Sequence, residues 1–364
     1  MPKYIHQHEN WTNFTWKNSE VSASLGDVRL LQGRITGKIH LLGFRSKEER
    51  NLETLTQDVM RSSEVEGEKL DYEQIRSSVA RRLGMDTAGL IPSARNVEGV
   101  VEMMLDATQN NQDQLTEERL FGWHAALFPT GYSGMNRISV AQYRKGEMKV
   151  VSGAIGKEKI HYEAVDANDI GHEMNKFLSW LNDDKVIIDI VLKAAIAHLW
   201  FLTIHPFEDG NGRIARAISD MMLARSENSS ERFYSMSKQI LAKRSEYYEV
   251  LKRAQRNDGE ITEWLTWFLN TLKGAMQEAE DSMKNIMIKA AFWEGHREIR
   301  VSERQRLMLN KMFDESSIKL TTSKWAKITK CSADTALRDI NDLIEKGILI
   351  KDDAGGRSAN YRLV

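Results

Sequence analysis

Apolar residues recur at intervals of three and four along most of the chain, the period of helices that bury one face. Leu25, Val28, Leu31, Ile35, Ile39 and Leu42 form a first stripe, which Gly43 and Phe44 are expected to end. Leu52, Leu55 and Val59 begin a second, running to Gly67. Asp71 is placed to cap a helix over 72–83 that Gly84 closes. Further helices are predicted over 97–108, 117–128, 171–182 and 245–251, and a long one over 261–293 carries Trp264, Leu265, Phe268, Leu269 and Leu272 on one face. The stretch 191–202 is apolar on nearly every side and reads as a buried helix that Pro206 stops. Ile214, Ala217, Ile218, Met221 and Met222 define its successor, starting near Gly212.

The helical period disappears from 131 to 164. There 137–140, 148–151 and 159–162 are short, strand-like and separated by glycines, the pattern of a hairpin. A separate unit begins near Ser302. It has a helix with Leu307, Leu309, Met312 and Phe313, a helix over 321–329, a turn at Lys330-Cys331-Ser332, a helix over 333–346, and strands at 348–350 and 361–363. That order resembles a winged helix-turn-helix. The fold expected is mainly α with one small β-hairpin, in three regions: 1–95, 96–295 and 300–364. Trp11, Phe14 and Trp16 near the start are read as packing aromatics, and the first helices as docking or dimerisation elements that leave a homodimer open.

Composition narrows the class. The 364 residues are 41% hydrophobic and 28% charged with net charge −1, so sizeable cores are possible and no global field draws the chain to nucleic acid or membrane. A single cysteine, Cys331, excludes an intrachain disulfide and suits a reducing compartment. Residues 1–8 lack the apolar core of a signal peptide. Lys193 and His198 interrupt the most apolar helix, so no membrane span is expected. These features together predict a soluble, cytoplasmic protein.

The chemistry concentrates in one window, His205-Pro206-Phe207-Glu208-Asp209-Gly210-Asn211-Gly212-Arg213-Ile214-Ala215-Arg216. A histidine has a reference pKa near ~6.5, so neutral His205 can take a proton from a hydroxyl. Asp209 is a hard oxygen ligand suited to Mg2+. Gly210-Asn211-Gly212 sits where a helix opens, with free N–H groups and the positive end of the dipole, which makes an anion site. Arg213 and Arg216 are three apart on one helix face, so two guanidinium forks can reach one polyphosphate. Phe207 is expected to point inward and pin the loop.

This window resembles the signature of Fic-domain proteins, H-x-F-x-[DE]-G-N-G-R-x-x-R, with every fixed position matched. The resemblance implies a helical catalytic domain that binds Mg·ATP and transfers AMP to a Ser, Thr or Tyr hydroxyl of a target protein. It assigns His205 as general base and Asp209 as the metal ligand. The run Gly210, Asn211, Gly212, Arg213, Ile214 and Ala215 becomes the nucleotide-binding loop, with Arg216 on the γ-phosphate. It also gives meaning to Ser62, Glu66 and Gly67, which fill the family's inhibitory motif [ST]-x-x-x-E-[GN] on a helix over about 50–67 ahead of the loop. Glu66 is then expected to pair with Arg216 and hold the place of the γ-phosphate; in some relatives that glutamate also helps remove AMP.

Two further sets follow from the resemblance. Lys159, Ile160, His161 and Tyr162 fall at the position of the target-docking flap, where an extended segment adds as a strand. Tyr247 and Tyr248 resemble the aromatic pair beside the nucleotide, while Gln255 stands where some relatives carry asparagine. His124 is read as structural. For the C-terminal unit, Asp334, Asp339, Asp342 and Glu345 outnumber Arg338 and Lys346 on the second helix, while Lys319, Lys324, Lys327, Lys330, Lys351 and Arg357 surround it. DNA binding and protein docking stand even on that balance. The competing function is a DNA-binding regulator whose loop senses ATP without transfer.

Overall fold

A computed structural model of the chain describes residues 2–41, 44–85, 89–152, 159–314, 320–352 and 360–364. The expected stripes become helices α1 (Asn18–Leu41), α2 (Phe44–Val65), α3 (Tyr72–Arg82), α4 (Arg95–Gln109) and α5 (Glu117–Leu127). After them come α6 (Ile170–Asn182), α7 (Ile190–Ile204), α8 (Asn211–Glu227), α9 (Met236–Ala242), α10 (Arg244–Ala254) and α11 (Thr262–Gly295). Asp71 caps α3 by accepting from the Gln74 N–H at 2.9 Å, and Gly84 follows at φ +70°. Phe44 opens α2 instead of closing α1, while Leu42 and Gly43 lie outside the described residues. The seven-residue α9 was not foreseen, since about two turns leave too few positions for a period to register.

The described chain divides into two compact units, Met1–Glu280 and Asp281–Val364. In the first, α7 and α8 pack against each other as the central pair. Every residue of α7 after Ile190 is buried, including Lys193 and His198. Burying those two costs little because both are satisfied: Lys193 Nζ donates to the Asp183 carbonyl at 3.0 Å, and His198 lies 2.9 Å from both Ser219 Oγ and Tyr247 Oη. Around the pair, α4 and α5 cover α8, α6 covers α7, and α2 packs on α3, α9 and α8. Trp11 and Phe14 stack edge-on against Trp200, as packing aromatics should.

Three small antiparallel pairs occur among the described residues. β1 (Tyr132–Ser133) pairs with β2 (Asn136–Arg137), so the strand anticipated over 137–140 shrinks to its first residue. β3 (Lys149–Ser152) pairs with β4 (Lys159–Glu163), with a register slip between Val150 and Val151. In the second unit, α12 (Glu303–Asp314), α13 (Thr322–Thr329) and α14 (Ala333–Glu345) precede β5 (Leu349–Lys351) and β6 (Tyr361–Leu363). Trp325, Ile340, Leu343, Leu349 and Tyr361 share its core with Met308, Leu309 and Met312. Leu307, expected inside, is 52% exposed because Met308 and Leu309 take the inward face of α12. Among the described residues, no helix is long and apolar enough to cross a membrane.

Candidate active site

The loop between α7 and α8 is built by a change of backbone hand. His205 closes α7 in the left-handed region, at φ +53°, with its N–H still donating to the Phe201 carbonyl at 2.9 Å. A non-glycine residue there is strained, and it turns the chain sharply enough for Pro206 to leave the helix. Gly210 repeats the turn at φ +82° just ahead of α8. A Cβ on Gly210 would meet Phe128 at 2.9 Å, so both backbone angle and space demand glycine. Asn211 is 2% exposed and braces the turn from within: its Oδ1 accepts from the Phe207 N–H at 3.0 Å and its Nδ2 donates to the Phe207 carbonyl at 2.8 Å. Its side chain is therefore spent on the loop, and only its backbone N–H remains for a ligand. Phe207 is fully buried, stacked 4.2 Å from the His124 ring.

His205 Nδ1 lies 3.3 Å from the Leu202 carbonyl, so that nitrogen carries the proton and Nε2 keeps its lone pair. Burial, helped by the Arg144 cation, pushes its pKa down to about 4. The imidazole is neutral at physiological pH, as a proton acceptor must be. Arg144, which nothing in the sequence pattern singled out, is 2% exposed and donates to the carbonyls of His205, Gly146 and Val165. It ties the start of the loop to the base of the β3–β4 hairpin.

The acidic residues of the loop are anchored by side chains that sequence reasoning also passed over. Ser133 donates from Oγ to one Asp209 carboxylate oxygen, and the Gly210 N–H donates to the other at 2.5 Å. Glu208 accepts from the N–H and hydroxyl of Ser139 at 3.1 and 3.0 Å. His124 is structural, as expected. Its Nδ1 accepts from the Ala141 N–H at 3.1 Å, which leaves Nε2–H to donate to the Asp209 carbonyl at 3.2 Å. Burial holds its pKa near 4, so it stays neutral. The only local signal for Ser133 and Ser139 is the loss of helical period around them. No cluster of three or more His, Cys, Asp or Glu suited to a metal occurs among the described residues. A lone, well-anchored Asp209 fits a cation that takes its other ligands from phosphates and water, the usual habit of Mg2+.

The anion site at the start of α8 holds a carboxylate of this same chain. A Cβ built on Gly212 would lie 2.0 Å from Glu66 Oε1, so that carboxylate fills the space directly over the first turn of α8. The same oxygen pairs with Arg216 Nη2 at 2.9 Å. Arg216 is 2% exposed and also donates to Ser62, from Nε to Oγ at 2.9 Å and from Nη2 to the carbonyl at 2.8 Å. Gly67 follows at φ +86°, the left-handed residue that lets the chain turn away from α2. A second pair was not anticipated: Glu68 Oε2 lies 2.7 Å from Arg213 Nη1. Arg213 is 5% exposed and rests 5.0 Å over the Phe128 ring. Both arginines of the loop thus carry a carboxylate from the segment after α2. Ile214 and Ala215 are fully buried, and the Ile214 N–H donates to the Gly210 carbonyl at 3.0 Å.

Beside the loop lies a cavity of about 550 Å3, bordered by Glu66, Lys149, His205, Gly212, Tyr248 and Gln255. The two tyrosines differ in place. Both line the cavity, but Tyr247 is 1% exposed and spends its hydroxyl on His198, whereas Tyr248 is 37% exposed. Gln255 donates from Nε2 to the Leu202 carbonyl at 3.1 Å, which leaves its Oε1 as the remaining polar atom of the side chain. On the hairpin, Ile160 is 37% exposed, while Tyr162 is 2% exposed and donates to the Thr203 carbonyl at 2.7 Å, anchoring β4 to α7. The backbones of Lys159 and His161 belong to β4; their side chains lie outside the described residues. A two-stranded sheet leaves an edge free for another strand.

Residues 4–85 match a domain of unknown function (DUF4172), and residues 114–223 match the Fic/DOC family. The chain is 27% identical over 215 residues to a protein adenylyltransferase Fic of Aedes aegypti, covering 57% of this chain and 38% of the relative. It is 28% identical over 166 residues to a probable protein adenylyltransferase of Aquifex aeolicus, covering 44% and 48%. The match thus spans less than half the length of either relative. Among solved structures, a Fic family protein from Desulfovibrio desulfuricans G20 superposes with TM-score 0.53 at 19% identity, over 95% of this chain and 96% of the other. A Fic domain containing signaling protein from Bacteroides thetaiotaomicron gives 0.54 at 21% identity, over 71% and 97%. These two structures share the fold.

Proposed function

We propose that the chain is a protein adenylyltransferase held in check by its own N-terminal segment, a reading that rests on the match of residues 114–223 to the Fic/DOC family. The observation that carries this reading is the Glu66 carboxylate lodged over Gly212 and on Arg216, beside a neutral His205. A buried helix N-terminus with two buried arginines is a polyphosphate site, and here two carboxylates stand in for phosphate charge. In the reaction proposed, a Ser, Thr or Tyr hydroxyl of a target protein attacks the α-phosphorus of ATP. The new O–P bond forms as the bond to the β-phosphate oxygen breaks, giving AMP-protein and pyrophosphate. His205 Nε2 takes the hydroxyl proton. The open N–H groups of α8, with Arg213 and Arg216, offset charge on the phosphates. Mg2+, when held by Asp209 and phosphate oxygens, would supply further charge neutralisation.

Tyr248 and Gln255 border the cavity where the nucleoside would lie, and the free edge of the β3–β4 hairpin would align the target segment as an added strand. Glu66 then has a regulatory role, withholding Arg216 from the γ-phosphate, and the same carboxylate can orient water for removal of AMP. Mass spectrometry of the Glu66→Gly chain incubated with Mg·ATP tests the proposal. A +AMP adduct on a Ser, Thr or Tyr supports it. Mg·ATP binding without any adduct, alone or with cellular proteins, would make the loop a nucleotide sensor instead.

A further inference from the structure

The second unit poses a question that the Fic domain does not answer. Its formal charge runs against that of the rest: Asp281–Val364 carries 16 Lys and Arg against 12 Asp and Glu, net +4, whereas the whole chain is −1 and the remainder therefore −5. The acids of α14 argue against a polyanion partner only while they are unpaired. Asp339 takes a forked contact from Arg304, at 3.0 and 3.2 Å. Asp342 pairs with Lys346 at 2.5 Å and accepts from Gln305 Nε2 at 2.7 Å. Asp352, after β5, pairs with Arg362 at 3.0 Å. These carboxylates are neutralised within the unit.

The remaining face has a different character. Leu337, Arg338 and Asn341 are exposed on α14, flanked by Asp334 and Glu345. On α13, Lys324 and Lys327 are exposed one turn apart, and Lys330 is exposed in the turn between the helices, in left-handed backbone at φ +51°. Lys324, Lys327, Lys330 and Arg338 have no acidic partner among the described residues. Four free cations thus surround the first half of a helix that Ser332 caps and whose buried side, Ala336, Ile340 and Leu343, is committed to the core. Arginine and asparagine are side chains that read purine edges, and an apolar side chain can meet a thymine methyl.

We propose that the C-terminal unit binds duplex DNA, with α14 in the major groove presenting Arg338, Asn341 and Leu337 to base edges, and Lys324, Lys327 and Lys330 on backbone phosphates. Asp334 and Glu345 repel phosphate, so nonspecific affinity is modest, within the range of about 10⁻⁴–10⁻⁶ M near physiological salt. The test is fluorescence anisotropy of the full-length chain with a labelled random-sequence duplex of about 30 base pairs, titrated across KCl concentrations. On a random sequence Arg338 meets a phosphate instead of a matched base edge, so the four cations give a log–log salt slope of about −3.6. The triple variant K324Q/K327Q/K330Q should reduce it to about −1, and Arg338→Ala to about −2.7, with circular-dichroism melting unchanged because all four side chains are exposed. No binding at low salt would overturn the proposal and leave a protein-docking surface. A triple variant with the wild-type slope, or displacement by polyglutamate as effective as by duplex at equal charge, would overturn it as well. Self-labelling with Mg·ATP, followed in the same preparations, reports on the Fic domain separately, so failure of either reading is recognisable alone.

Discussion

Replacing Glu66 with glycine removes one carboxylate and little else. The residue sits in the turn just past α2, so no helical position is lost, and its side chain touches Arg216, Tyr248 and the space above Gly212. In the resting chain, Arg216 is buried and already spends Nε and Nη2 on Ser62 and Glu66, which leaves Nη1 without a partner. A γ-phosphate arriving there would meet the carboxylate instead of a free cation. Two unit charges about 4 Å apart at an effective dielectric constant near 20 interact by about 4 kcal/mol. The Glu66 side chain is 32% exposed, so solvent screening reduces this to about 3 kcal/mol. Relieving that repulsion should raise self-labelling or target labelling by about a hundredfold. The assay is the initial rate of AMP incorporation from labelled ATP, with calorimetry to follow Mg·ATP binding. The double variant Glu66→Gly/Arg216→Ala should lose the gain, because the benefit of freeing Arg216 vanishes with Arg216. A folded Glu66→Gly chain that binds Mg·ATP yet labels at the wild-type rate would refute the reasoning.

Glu68→Gln should release Arg213 and give a smaller increase, tenfold or less, because Arg216 remains occupied; an unchanged rate would make the Glu68–Arg213 pair structural only. In the Glu66→Gly background, His205→Ala should abolish transfer while calorimetric Mg·ATP affinity stays within about threefold, since Nε2 contacts a hydroxyl and no phosphate. A comparable loss of affinity would make His205 a binding residue. The pH profile follows from the depressed histidine. His205 is protonated only below about 4, so transfer by Glu66→Gly should hold from pH 7 to 5 and fail near pH 4 as the base is lost. A midpoint near 6.5 would mean that the ring is solvated. Stability should decline across the same acid range. Neutral His6, His124, His198 and His205, the first and last partly exposed, have folded pKa values of about 4, 4, 3 and 4, below the ordinary 6.5 of the unfolded chain. The unfolded state therefore takes up protons first as pH falls from about 6.5 to 4. A thermal midpoint that stays flat over that window would contradict their burial.

The loop from His205 to Arg216 could be read from sequence because its information is local. A proline that stops one helix, glycines that permit left-handed turns and arginines three apart each act within a turn or two of backbone. The same holds for the Asp71 cap, the Gly67 turn, the apolar stripes of α4 and α6 and the apolar run of α7. What occupies the loop was a different kind of question. Ser62 and Arg216 are 154 residues apart, Glu68 and Arg213 are 145 apart, and Ser133 and Asp209 are 76 apart. Nothing in the periodicity around Glu68, Ser133 or Arg144 distinguishes them from solvated polar residues. Only the packing of α2 on α8 and of β1 beside the loop brings these groups within hydrogen-bond reach. The motif resemblance led to Glu66; no motif led to Glu68. The tandem tyrosines show the limit from the other side: both line the cavity, and packing alone decided that Tyr247 is buried while Tyr248 is half exposed. On α14 the sequence could count charges, yet the fold determined which of them are already neutralised: Asp339 and Asp342 lie within reach of Arg304 and Lys346, and Arg338 meets no acid among the described residues. Short-range backbone preferences and hydrophobic period are set by neighbours along the chain, whereas the pairing of charges depends on which surfaces the hydrophobic core brings together.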